Sequence, residues 1–174
     1  MNINNVYLIG FMASGKSSFG KKLARHLDMD FFDLDSFIEE QEEMTIDEIF
    51  AVKGESFFRF LESEVLKNVS LKNTLISLGG GTPCSDRNID FIRNNGLVIY
   101  LELPLKIIIG RLKQDRENRP IVKGLNDDEL TEKIRQLFNS RETYYQEAHL
   151  TLDMQKSLRE LKETVDNIIE TNSL

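Results

Sequence analysis

At 174 residues the chain fits one domain of ordinary size, long enough to bury a substantial core without disulfides or a structural metal. Hydrophobic residues at 40% and charged residues at 29%, with only 3 Pro, 10 Gly and no low-complexity tract, exclude a disordered or fibrous chain. The formal charge is −7, from 22 basic and 29 acidic side chains with no run of Lys and Arg, so no nucleic-acid partner is expected and positive charge must be sought at individual arginines.

The N-terminus passes from Asn-rich residues into Val6-Tyr7-Leu8-Ile9 without a basic region or a long apolar segment, so no signal peptide is expected. No apolar stretch approaches the ~20 residues of a membrane span. A cytoplasmic protein with no membrane partner is the expectation. From residue 6 onward, short β-rich apolar runs alternate with segments of helical period, the pattern of a parallel sheet covered by helices.

Residues 6 to 9 are the first predicted strand. Gly10-Phe11-Met12-Ala13-Ser14-Gly15-Lys16-Ser17 follows and opens a predicted helix over 16 to 27, with Phe19, Leu23, Ala24 and Leu27 on one face. Gly-x-x-x-x-Gly-Lys-Ser between a strand and a helix is a phosphate loop. Its glycines let the backbone curl with N–H groups pointing inward, and the helix adds the positive end of its dipole. In this chemistry Lys16 bridges phosphate oxygens and the Ser17 hydroxyl ligates Mg²⁺. The motif points to ATP and is silent on the acceptor.

A second strand over 30 to 32 leads into Asp33 and Asp35. P-loop enzymes commonly carry a metal-supporting carboxylate at the end of a later strand, but here the third strand, 74 to 78, ends in Gly79-Gly80-Gly81. Asp33 and Asp35 are the nearest substitutes. Two apart in an extended chain, they face one side roughly 6.5 Å from each other, so one can serve metal-bound water and the other an acceptor hydroxyl. The competing reading is that Asp35, or Ser36 after it, caps the next helix.

Residues 36 to 69 interrupt the alternation and read as helical, with Thr45 and Glu48 in a capping box and Gly54 separating two helices. Arg59 stands among aromatics three residues before Glu62. That spacing either orients a guanidinium fork for a carboxylate or phosphate, or makes a surface intrahelical pair. Gly79-Gly80-Gly81-Thr82-Pro83 lies at the carboxyl end of a strand, where open α/β sheets bind ligands, and permits close backbone approach unless it is a purely structural turn. Cys84, the single cysteine, excludes an internal disulfide framework and is expected as a small core or loop residue in a reducing compartment.

Helices are predicted over 85 to 94 and 104 to 116 around a strand at 97 to 101, with Pro104 in a first helical turn. The polar stretch from 114 to 127, which holds Arg116, Arg119, Pro120 and Gly124, is the candidate lid. On the helix beyond it, Arg141 and Tyr144 form either an anion clamp or a solvated face. A fifth strand at 150 to 152 precedes a helix from Ser157 to about 169 that opens with Ser157 and Glu160 in capping-box spacing. His26 and His149 match no catalytic pattern and are expected to be structural or exposed.

These features, in this order and spacing, resemble the shikimate kinase family across nearly the whole chain. The carrying segments are Gly-Phe-Met-Ala-Ser-Gly-Lys-Ser at 10 to 17, Phe-Phe-Asp-Leu-Asp at 31 to 35, Gly-Glu-x-x-Phe-Arg-x-x-Glu at 54 to 62, Gly-Gly-Gly at 79 to 81, Arg-Pro at 119 to 120 and Arg-x-x-x-Tyr at 141 to 145. The resemblance implies an α/β, three-layer P-loop fold: a five-stranded parallel sheet flanked by helices, in one domain over 1 to 174 with a helical substrate-binding insert at about 34 to 69 and a lid at about 114 to 127. It implies transfer of the ATP γ-phosphoryl to shikimate, with Asp35, Arg59, Gly80, Gly81 and Arg141 holding the acceptor. ATP would lie on Ala13, Ser14, Gly15, Lys16, Ser17 and Ser18, with Arg119 swinging in from the lid and Arg111 and Gln155 nearest the adenine. Lys16, Asp35 and Arg119 are the catalytic residues so implied. Mg²⁺ would sit at Ser17 with Asp33 supporting it through water, and a monomer is expected.

Two rival readings differ in kind. Another small-metabolite kinase of the same fold, such as a gluconate or nucleotide kinase, shares the phosphate loop; the paired arginines beside the glycine triplet argue against it. A catalytically silent, nucleotide-gated interaction module has no need for Lys16, Ser17, Asp33, Asp35 and Arg119 together.

Overall fold

The computed structural model describes residues 4 to 119 and 121 to 172. Pro120, half of the Arg-Pro pair and part of the candidate lid, lies outside the described residues.

Five strands form the sheet: β1 (Asn5–Ile9), β2 (Asp30–Asp33), β3 (Thr74–Ser77), β4 (Leu97–Glu102) and β5 (Leu150–Asp153). Every pairing is parallel, and the order is β2-β3-β1-β4-β5. β1 is central and buried along its whole length. Alternation along it feeds two cores, since successive side chains leave opposite faces of a strand. Val6 and Leu8 meet α1 (Lys16–His26) and α8 (Leu158–Asn172) through Phe19, Leu23, Leu161 and Val165. Tyr7 and Ile9 face the other core, which gathers α2 (Leu34–Glu42), α3 (Ile46–Val52), α4 (Glu55–Asn68), α5 (Asp86–Asn95), α6 (Leu105–Gln114) and α7 (Asp127–Gln146). Helices on both faces of a parallel sheet make the three layers.

The chain leaves β1 with β3 on one side and β4 on the other. Ligands of open α/β sheets collect in the crevice beyond such a point, and the phosphate loop, Asp33 and the glycine triplet all lie at the carboxyl ends of β1, β2 and β3.

Two features of the helical segment differ from the sequence expectation. It contains three helices where two were expected, because Glu43 takes a left-handed φ of 52° and ends α2 before Thr45 opens α3. The Thr45–Glu48 capping box is present. In addition, β2 ends at Asp33, and α2 begins at Leu34, so Asp35 lies in a first helical turn and not in a strand. The cap of α2 is Asp33, whose carboxylate accepts the Ser36 N–H at 3.3 Å; neither Asp35 nor Ser36 is the cap.

The predicted helix over 104 to 116 ends earlier, at Gln114, and a single 3₁₀ turn (Arg116–Asn118) follows. α7 then starts on an Asn126–Glu129 capping box that the sequence reading passed over. The Ser157–Glu160 pair does close the start of α8. His26 joins α1 to α8 through Asp166 at 2.9 Å, and His149 accepts the Val98 N–H at 3.0 Å; both are structural.

Candidate functional site

The phosphate loop is closed around its own lysine. Gly15 caps α1 with φ 98° and Ala13 sits at φ 60°, so the backbone turns sharply between β1 and the helix. Lys16 Nζ donates to the carbonyls of Gly10 at 2.8 Å and Phe11 at 3.0 Å. Burial pulls the Lys16 ammonium down to about 8, against the attraction of Asp35 and Asp33. A buried cation held only by neutral carbonyls favours an arriving anion. Amides in the first turn of α1 have no intrahelical acceptor and point the same way.

A cavity of about 460 Å³ joins Ala13, Gly15, Lys16, Ser17 and Ser18 to Asp33, Asp35, Arg111 and Arg119. At its floor the Ser17 hydroxyl donates to Asp33 Oδ2 at 2.8 Å. One hydroxyl and one carboxylate beside a phosphate site suit a hard cation that keeps most of its waters. Among the described residues no cluster of three or more His, Cys, Asp or Glu could cage a metal without such help. Arg111 donates to the Ala13 carbonyl at 2.6 Å and lies against the loop.

A second cavity, about 290 Å³, lies on the far side of Asp35. Arg59, Glu62, Gly79, Gly80, Gly81 and Arg141 line it. Asp35, Gly80, Met12 and Arg119 line both cavities, so the two spaces meet there. Asp35 Oδ1 is buried with no hydrogen-bond partner in the protein. Burial, then Glu62 and Asp33, push its carboxyl up to about 7, against Lys16 and Arg59.

Arg59 is held from two sides on α4. Nη1 donates to Glu62 at 2.5 Å, while Nη2 and Nε donate to Glu55 at 2.9 Å and 3.2 Å. Burial opposes the charge, yet Glu62 and Glu55 outweigh it and raise the guanidinium above its ordinary value. Those contacts use three of the five N–H donors of a guanidinium and leave one each on Nη1 and Nη2 for a further acceptor. The intrahelical pair and the recognition fork are therefore compatible.

Arg141 of α7 is only 7% exposed, with its guanidinium 5.8 Å from the Phe11 ring. It is not a solvated face. Its companion is Tyr145, whose hydroxyl donates to the Gly80 carbonyl at 2.6 Å; Tyr144 instead lines a different hollow beside Asp86. The spacing of Arg141 and Tyr145, four apart on one helix face, was the available signal for choosing between the two tyrosines.

The glycine triplet has a tighter constraint than substrate approach alone. A Cβ on Gly79 would stand 2.6 Å from Asp35 Oδ1, and one on Gly81 would stand 2.5 Å from Arg59 Nη1. The site's own side chains fill that space. Together these observations describe a cavity at the phosphate loop joined, at the Asp35 carboxyl group, to a smaller cavity lined by two arginines.

The family model for shikimate kinase matches residues 12–172. A shikimate kinase of Sulfurihydrogenibium sp. is 41% identical over 155 residues, which cover 88% of this chain and 90% of that protein. The chain belongs to the shikimate kinase family. The shikimate kinase of Aquifex aeolicus is 36% identical over 170 residues, covering 97% of this chain and 98% of its own. A solved structure of shikimate kinase from Acinetobacter baumannii, in complex with shikimate, superposes with a TM-score of 0.87 at 33% identity, covering 99% of this chain and 96% of that one.

As a shikimate kinase family member, the chain brings Lys16, Ser17, Asp33, Asp35, Arg111 and Arg119 to one cavity, and Arg59, Gly80, Gly81 and Arg141 to the adjoining one. Two residues expected at ATP, Ser14 and Gln155, do not line the phosphate-loop cavity. Ser14 is a buried member of the phosphate loop, its N–H donating to the Phe11 carbonyl at 3.3 Å. Gln155 is exposed in the turn after β5, where its amide reaches only Asp153, at 3.5 Å, and it does not line the phosphate cavity. Glu62, 1% exposed, and Thr82, also 1% exposed, were not legible as a buried pair, because their contact joins residues twenty apart in sequence. Cys84 is half-buried, and burial pushes its thiol up to about 11, away from the thiolate form. No helix among the described residues is long and apolar enough to cross a membrane.

Proposed function

We propose that the protein is an ATP-dependent shikimate kinase, transferring the γ-phosphoryl to the 3-hydroxyl of shikimate to give shikimate 3-phosphate and ADP in cytoplasmic aromatic amino-acid biosynthesis. The observation that carries this reading is the junction of the two cavities at Asp35 and Arg119. A donor phosphate on the loop and an acceptor anchored by its carboxylate on Arg59 and Arg141 would then meet in line.

Phosphoryl transfer needs positioning and charge neutralisation more than covalent help. In this reading Lys16 and the α1 amides hold the phosphates. Arg119, now tied to Asp115 at 2.9 Å, turns from the 114–127 lid onto the transferring group. Mg²⁺, when bound at Ser17 with Asp33 on its water, supplies charge stabilisation at the phosphate oxygens. Asp35 accepts a hydrogen bond from the acceptor hydroxyl and is placed to take its proton. The 34–69 segment supplies the acceptor wall, and Arg111 flanks the nucleotide. The chain acts as a single-domain monomer.

Coupled ADP release with shikimate, gluconate and nucleoside monophosphates as separate acceptors tests the reading. Shikimate alone should stimulate turnover. Stimulation by gluconate or a nucleotide without shikimate would overturn the acceptor assignment.

A further inference from the structure

Behind the acceptor cavity lies a closed ring of largely buried polar groups that meets the site only at Glu62. The Thr82 hydroxyl donates to Glu62 Oε1, and the Thr82 carbonyl accepts from Asn88 Nδ2 at 2.8 Å. Asn88 Oδ1 in turn accepts the Ser63 hydroxyl at 3.0 Å, and Ser63 follows Glu62 on α4. Asn88, in the first turn of α5, is 4% exposed. One amide thus bridges α4 to the loop that carries the glycine triplet.

We infer that Asn88 is a positioning residue that sets the acceptor clamp in register by locking the glycine loop onto the Arg59 helix. This inference rests on the acceptor assignment made above. Glu62 couples the ring to Arg59 through its second oxygen, at 2.5 Å from Nη1. Glycine at 81 leaves no slack between the loop and the guanidinium. Thr82 cannot shift without moving Glu62, and Glu62 cannot shift without turning the fork of Arg59. A buried amide makes both bonds at fixed spacing; an apolar residue there leaves a carbonyl and a hydroxyl unpaired and frees the loop. None of these groups lines the phosphate cavity. The signature is therefore selective for the acceptor.

The test compares wild type, Asn88→Leu and Ser63→Ala by calorimetric titration with shikimate and with a non-hydrolysable ATP analogue, and by steady-state kinetics. Asn88→Leu should weaken shikimate binding about tenfold or more, the loss of a buried hydrogen-bonded pair. Ser63→Ala, which removes one bond and keeps the Thr82 contact, should move it about threefold in the same direction. The dissociation constant for the nucleotide should stay within about twofold in both. Unchanged shikimate affinity in either folded variant, or a parallel loss for both ligands, overturns the positioning role. Wild-type protein that does not bind shikimate overturns the acceptor assignment itself.

Discussion

A buried carboxyl oxygen without a hydrogen-bond partner opposes folding, and Asp35 carries one at the junction of the two cavities. Its carboxyl is raised from 3.8 to about 7, chiefly by burial, so between those values the folded chain holds a proton that the unfolded chain has released. Stability from this group is therefore present at low pH and declines as pH rises through that window. Asp35→Asn should melt above wild type at about pH 8 without ligands, and the gap should close toward about pH 4. Equal melting temperatures at the higher pH would contradict the shift. The same substitution should lower turnover at least ~100-fold while the nucleotide still binds, since a neutral amide cannot take the proton. Gly81→Ala places a Cβ 2.5 Å from Arg59 Nη1; the KM for shikimate should rise about tenfold and that for ATP stay within about twofold, because the fork is displaced and the phosphate loop is not. At this scale the sequence identified residue types well and their geometry poorly. Asp33 and Asp35 do share a cavity, but through a strand end and a helix start, a boundary that side-chain periodicity over so short a strand could not place. Gln155, in the turn after β5, is bound locally to Asp153, a contact that its sequence neighbours alone do not announce.

Between β4 and α7 the candidate lid is pinned at its base. Arg116 Nη1 donates to the Leu125 carbonyl at 2.9 Å, and Arg116 Nη2 pairs with Asp127, which Lys113 also holds at 2.9 Å. The clasp thus joins the end of α6 to the first residue of α7 and fixes the base of the segment that carries Arg119. Arg116→Ala should reduce kcat several-fold by widening the range of Arg119 positions, with shikimate affinity in the absence of nucleotide unchanged. A variant with wild-type kcat would remove the clasp from the account. Capping chemistry made several of these boundaries legible: Thr45–Glu48 and Ser157–Glu160 are local signals that survive in the folded chain. Asn126–Glu129 is the same device with a less conspicuous cap residue. The break at Glu43 was not legible, because a non-glycine residue in the left-handed region leaves no compositional trace.

Across the whole molecule, strand order places the chemistry. The sequence revealed five short strands and the helices between them, but the order β2-β3-β1-β4-β5 is set by pairings between distant segments, such as Val6 with both Leu75 and Leu97. No local pattern encodes that. With β1 at the centre, the phosphate loop meets Asp33 at the end of β2, Asp35 in the first turn of α2 and the glycine triplet after β3, while α4 and α7 bring Arg59 and Arg141 to the far wall. Ligands that join these elements should stabilise the fold by mass action: saturating shikimate with a nucleotide analogue should raise the melting temperature beyond either alone. The most direct test is phosphorus NMR of a reaction of the protein with ATP, Mg²⁺ and shikimate. The account predicts ADP and a single shikimate 3-phosphate ester appearing in equal amounts. Release of inorganic phosphate in place of the ester, or ADP formation at a rate indifferent to shikimate, would contradict it.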